Sequence, residues 1–148
     1  MRFMLSKAIE VATDALRGIT DSQGLPYIDH ALRVMDRMDT EEEKIVAVLH
    51  DVVEDTEMSL QDLKGYGFSR EVLEAVGILT KRRDMTYFDY IDDVQCSDLA
   101  TKVKIAELED NKDIFRVNKM SFQTYSLDFR VSKALAVLRG EETKNDYK

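Results

Sequence analysis

In VLHDVVEDT, residues 48 to 56, four groups able to ligate a metal or exchange a proton crowd together: His50, Asp51, Glu54 and Asp55. Val48, Leu49, Val52 and Val53 surround them. An imidazole with carboxylate oxygens suits manganese, iron, zinc, or magnesium with water. A metal held this way could also activate a water for hydrolysis. On a helix, Glu54 follows His50 on one face and Asp55 follows Asp51, so the acids form a second layer one turn beyond the first pair. That second layer could take a proton from water. An unpaired carboxylate among apolar residues is costly, so the segment needs a cation or several hydrogen bonds. The plainer reading of a lone His–Asp dipeptide is a buried pair held by backbone hydrogen bonds, because so short a match often arises by chance.

The elements that must position these groups are helices. Met4, Leu5, Ala8, Ile9, Val11, Ala12, Ala15 and Leu16 recur at spacings of three and four, the pattern of an amphipathic first helix. Residues 18 to 24 form a polar loop, and Pro26 opens a second helix running to Met38. Thr40 with Glu43 reads as a capping box that starts a helix over residues 41 to 54. That helix is apolar around most of its circumference and is expected to be buried, with His50 and Asp51 in or beside the core. Adjacent helical residues point about 100° apart, so both side chains reach one ion only in suitable rotamers. Ser59 starts a short helix ending at Gly65 and Gly67. Ser69 starts another, with Val72, Leu73, Val76 and Leu79 on one face. Thr86 and Asp89 suggest a further capping box. Residues 98 to 117 read as one long helix and 121 to 138 as the last, closed by Gly140. The expected fold is an all-α, compact single-domain helical fold over residues 1 to 140, with a frayed tail at 141 to 148.

Bulk properties narrow the partners. The chain has 148 residues, 44% hydrophobic and 34% charged, within the range of one folded domain. A net charge of −8 disfavours nucleic acid, which needs a basic surface, but leaves room for a phosphorylated small molecule at a local site. One cysteine, Cys96, allows no internal disulfide and points to a reducing, cytoplasmic setting. No apolar run approaches membrane-spanning length, and the N-terminus does not read as a signal peptide. Oligomeric state is not legible. The KRRD run at residues 81 to 84 reads as a solvated loop that could also steer an anion. Tyr87, Phe88 and Tyr90 read as core, with one tyrosine able to stack on a base.

Four segments occur in order: GLPYIDHALRVM, VAVLHDVVEDT, SLQDLKGYGFSREVLEAVGILTKR and KVKIAELEDNKDIFR. Together they resemble the HD-domain phosphohydrolases, specifically the small single-domain relatives of the guanosine tetra- and pentaphosphate (ppGpp) hydrolases. The resemblance spans residues 5 to 117. It implies an all-α HD-domain fold and a divalent metal, usually manganese, whose bound water attacks a phosphate of a nucleotide such as ppGpp. It assigns His50, Asp51 and Glu107 to the metal, Glu54 and Asp55 to water activation and orientation, and Asn111 to the nucleotide.

Two positions depart from the pattern as the resemblance places it. Leu16 stands where a first-helix histidine is expected and cannot ligate. Glu107 stands where an aspartate is expected and adds one methylene. His30 is treated as an early helix residue bonded to a backbone carbonyl. Two functions stay open: a metal-dependent hydrolase with a thinned ligand set, or an inactive domain that keeps the fold and binds a nucleotide or a protein partner.

Overall fold

Side-chain caps set many of the helix boundaries. The computed structural model describes the backbone of residues 2–21, 24–117 and 122–141, and the side chains of these except 2–3, 113–117 and 122–128. The described residues contain helices and no strand, only an isolated bridge between Thr20 and Pro26. The chain divides into two compact units, Met1–Lys81 and Arg82–Lys148.

In the first unit, α1 (Arg2–Ala15), α2 (Tyr27–Asp36), α3 (Glu41–Leu49), α4 (Val52–Asp55), α5 (Leu60–Gly65) and α6 (Arg70–Leu79) follow one another. Thr40 accepts from the Glu43 backbone at 3.1 Å while the Glu43 carboxylate accepts from the Thr40 N–H at 3.1 Å, the reciprocal box that starts α3. Ser59 and Asp62 do the same for α5. Helix α3 packs against α1, α2 and α6. Its residues Ile45, Val46, Ala47, Val48 and Leu49 are consecutive and all buried, as an apolar circumference requires. Between α1 and α2 the chain turns back on itself. Gly18 and Gly24 adopt φ of 82° and 80°, the left-handed region that glycine enters without Cβ strain. The Asp21 N–H donates to Leu25 O at 2.8 Å, and the Asp21 carboxylate accepts from the Leu25 N–H at 3.0 Å.

The helix expected over residues 41 to 54 is not continuous. Helix α3 ends at Leu49, His50 and Asp51 form a turn, and α4 resumes at Val52. The Asp51 backbone sits at φ −99° and ψ −6°, at the edge of the right-handed α region, and the Asp55 N–H still donates to its carbonyl at 2.9 Å.

In the second unit, α7 (Tyr87–Val94), α8 (Asp98–Val117) and α9 (Phe122–Leu138) pack pairwise on one another. Thr86 caps α7 by accepting from the Asp89 N–H at 3.1 Å. Helix α9 ends in a Schellman arrangement: Glu141 N–H donates to Ala136 O at 2.9 Å, Gly140 N–H to Val137 O at 3.0 Å, and Gly140 takes φ 77°. Cys96 is exposed, in the turn between α7 and α8. The expected frayed tail lies outside the described residues from position 142 onward.

Candidate metal centre

Helix α2 carries His30 one turn in from Pro26, on the face that also buries Ala31 and Val34. Helix α3 packs on that helix and delivers His50 at its C-terminal end, with Asp51 next in the turn. All three side chains are buried, at 3%, 1% and 4% exposure. The His50 Nε2 lies 2.9 Å from Asp51 Oδ2, and the His30 Nε2 lies 3.8 Å from the same oxygen. The two rings meet edge to face with centroids 5.7 Å apart, and Tyr27 stands edge to face against His30 at 5.5 Å. The three residues each offer a ligand atom, all within 4.8 Å of one another.

The helix break explains how neighbouring residues converge. In an unbroken helix His50 and Asp51 would diverge by about 100°. The turn at 50 and 51 swings the carboxylate toward the imidazole.

The tautomer of His50 follows from its other nitrogen. Nδ1 is hydrogen-bonded to the Ala47 carbonyl, so it carries the ring proton and donates. Nε2 of the neutral ring then presents a lone pair to the Asp51 carboxylate, which also presents lone pairs. Two such atoms facing each other in a sealed site need a positive charge between them, a proton or a metal. Two imidazole nitrogens and a carboxylate oxygen form a donor set fit for a borderline divalent ion. The backbone bond that fixes the ring is the usual outer support of a metal-ligating histidine.

His30 is the donor that the sequence reading set aside. Leu16 is buried, carries no donor atom, and belongs to the apolar core. The second imidazole comes instead from α2. Its signal in the sequence was the buried-face spacing His30, Ala31, Val34, together with there being only two histidines to spend.

The remaining candidates lie on α4 and α8. Glu54 and Asp55 are exposed on α4, directly after the turn. In the second unit Glu107 and Asp110 are buried on α8, and Asn111 is half-buried beside them. The Lys104 ammonium donates to Glu107 Oε2 at 2.9 Å and sits 5.0 Å from the centre of the Tyr90 ring. Burial alone would pull the Lys104 pKa down. The Glu107 carboxylate, with Tyr90 and Tyr87, outweighs burial and holds it well above the ordinary lysine value.

The bifunctional (p)ppGpp synthase/hydrolase SpoT of Escherichia coli K12 is 37% identical over 89 residues, 57% of this chain and 12% of that protein. The guanosine-3′,5′-bis(diphosphate) 3′-pyrophosphohydrolases of Shigella flexneri and Vibrio cholerae are 37% and 35% identical over the same length. A solved metazoan orthologue of SpoT, described as hydrolysing ppGpp, superposes with a TM-score of 0.77 over 94% of this chain and 87% of that one, at 24% identity. The chain is similar in sequence to part of these (p)ppGpp hydrolases and shares the fold of the metazoan orthologue. It spans only 12% of the SpoT proteins' length, and no family model matches it. The all-α HD-domain fold expected from the sequence is the one found. In this chain the two histidines and Asp51 make a buried donor group inside the first unit, formed by one helix and one interrupted helix.

Proposed function

We propose that this chain is a metal-dependent phosphohydrolase acting on a nucleotide such as ppGpp, in the manner of a 3′-pyrophosphohydrolase. The observation that carries the reading is the buried convergence of His30, His50 and Asp51 in a chain similar to part of the ppGpp hydrolases. Those three residues would hold the metal, with Glu107 as a further carboxylate ligand in the family position. Manganese is the proposed ion and the cytoplasm the proposed setting. Among the described residues no helix is long and apolar enough to cross a membrane. When bound, the metal would polarise the attacking water and the phosphate.

The chain's own groups supply the rest. Glu54 takes the water's proton and Asp55 orients the water. The new bond forms between water oxygen and the phosphorus joined to the 3′-oxygen. The bond to that 3′-oxygen breaks, pyrophosphate leaves, and the 3′-oxygen is protonated. Asn111 contacts the nucleotide.

The test is manganese titration of the wild type and of His30→Ala, followed by pyrophosphate release from ppGpp. Wild type should bind manganese and release pyrophosphate. Loss of the His30 imidazole should weaken manganese binding by more than the roughly 10- to 100-fold expected for losing a ligand's supporting partner. Equal affinity in the variant would move the metal elsewhere. Tight binding by wild type with no pyrophosphate would favour the inactive nucleotide-binding domain, a reading to which the altered ligand Glu107 lends support.

A further inference from the structure

Two rings meet the His30 imidazole edge to face. His50 does so with centroids 5.7 Å apart and planes at 64°, and Tyr27 at 5.5 Å and 62°. The row of three rings runs from the half-buried Tyr27 through His30 to the buried His50. An imidazole turns readily on the bond that joins it to Cβ, because that torsion has broad wells. Such a turn would carry Nε2 away from the Asp51 carboxylate, 3.8 Å off. Edge-to-face contact opposes it, since ring pairs of this kind favour one mutual orientation. Tyr27 is itself well placed to hold still. It opens α2 three residues ahead of His30, so the two share a helix face. Pro26 before it has its φ fixed by the pyrrolidine ring, here at −56°. Thr20 and Pro26 form the isolated bridge, and the Tyr27 N–H donates to Ile19 O at 2.9 Å. The return from α1 thus anchors the backbone that carries the tyrosine ring.

We propose that Tyr27 is a positioning residue whose ring sets the orientation of the His30 imidazole, and so how well Nε2 meets a divalent ion shared with His50 and Asp51. The inference rests on the reading of those three residues as metal donors. Each histidine then has its own orienting device. His50 is turned by the hydrogen bond from Nδ1 to the Ala47 carbonyl, the usual kind of support for a ligating ring. For His30 an aromatic ring on the same helix face does this work. The ring performs it and the phenol hydroxyl does not, so phenylalanine preserves the role and an aliphatic residue of similar bulk loses it. A tyrosine that only braced the start of α2 would, when lost, lower stability and leave the geometry at a bound metal as it was.

The experiment compares wild type with Tyr27→Phe, Tyr27→Leu and His30→Ala in manganese affinity, in the melting temperature of the metal-free protein, and in the visible absorption of the cobalt-loaded protein, which reports coordination geometry. Tyr27→Phe should match wild type in affinity and in the cobalt bands. Tyr27→Leu should bind manganese roughly 2- to 10-fold more weakly, the range an edge-to-face ring pair commands, and should shift the cobalt bands. If Tyr27→Leu does not fold, Tyr27→Gln carries the same expectation, since it also lacks a ring and its amide suits a half-buried position in a first helical turn. His30→Ala should weaken manganese binding further than either. Unaltered binding in His30→Ala would overturn the metal reading itself. Weakened binding there, with wild-type affinity and wild-type cobalt bands in the variants lacking the ring, would overturn the positioning role alone. Tyr27→Phe binding as weakly as Tyr27→Leu would overturn it too, by giving the role to the hydroxyl.

Discussion

Glu54 and Asp55 are the exposed end of a motif whose first half is buried, and this split decides how they should respond to change. Glu54→Gln keeps volume and hydrogen-bonding capacity but cannot accept a proton at neutral pH. It should lower turnover of ppGpp by roughly 100- to 10,000-fold, the usual weight of a general base. Manganese affinity should hold, and stability should stay within about 0.5 kcal/mol, as for most surface substitutions. Pyrophosphate release, metal titration and a melting curve read all three. Turnover equal to wild type would dismiss Glu54 as the base. The His–Asp pair was readable from the chain because adjacent polar residues in an apolar run demand an explanation. His30 was harder. The spacing of His30, Ala31 and Val34 marks an inward face, but the histidine's partners sit 20 positions away, and packing of α2 on α3 brings its ring within 3.8 Å of Asp51.

Helices were legible wherever a cap or an amphipathic period announced them. The starts at Thr40, Ser59 and Ser69, and the stop at Gly140, are side-chain or glycine chemistry that operates within a few residues. The interruption at His50 and Asp51 had no such marker. Neither residue is glycine or proline, and the hydrophobic period continues through the turn. Helix α6 offers a test of packing at this scale. A Cβ added at Gly77 would meet Leu60 Cδ1 at 3.1 Å, a close contact with the tip of a half-buried side chain. That methyl is the far end of a flexible side chain and need give only a few tenths of an ångström. Gly77→Ala should therefore gain from reduced backbone freedom, stabilising by about 0.5 kcal/mol, within the usual range for such changes. Gly77→Val pushes two more carbons toward the same atom and should destabilise. Thermal melts of both variants check the pair, and a lower melting temperature for the alanine variant would mean that Leu60 cannot move.

A net charge of −8 acts on the molecule as a whole. An anionic nucleotide approaches against this field, and dissolved salt screens it over about 10 Å at 0.1 M. With manganese saturating, kcat/KM for ppGpp should rise as sodium chloride goes from about 20 to about 150 mM, the reverse of an electrostatically steered encounter. A steady fall would show that local basic groups, not the net charge, govern approach. The division into two units, by contrast, left no trace in composition. No proline-, glycine- or serine-rich linker marks it, and it falls inside the KRRD run, between Lys81 and Arg82, where Arg82 and Asp84 form an exposed pair at 3.2 Å. The turn between α7 and α8 has a practical side. Cys96 is exposed there, its Sγ 3.7 Å from the Asp92 carbonyl, and the chain holds no other thiol. A maleimide dye or nitroxide therefore attaches at a single known position without any prior cysteine removal. The tag sits in the second unit, while His30, His50 and Asp51 in the first remain chemically untouched, so the native protein comes with its own handle for spectroscopy.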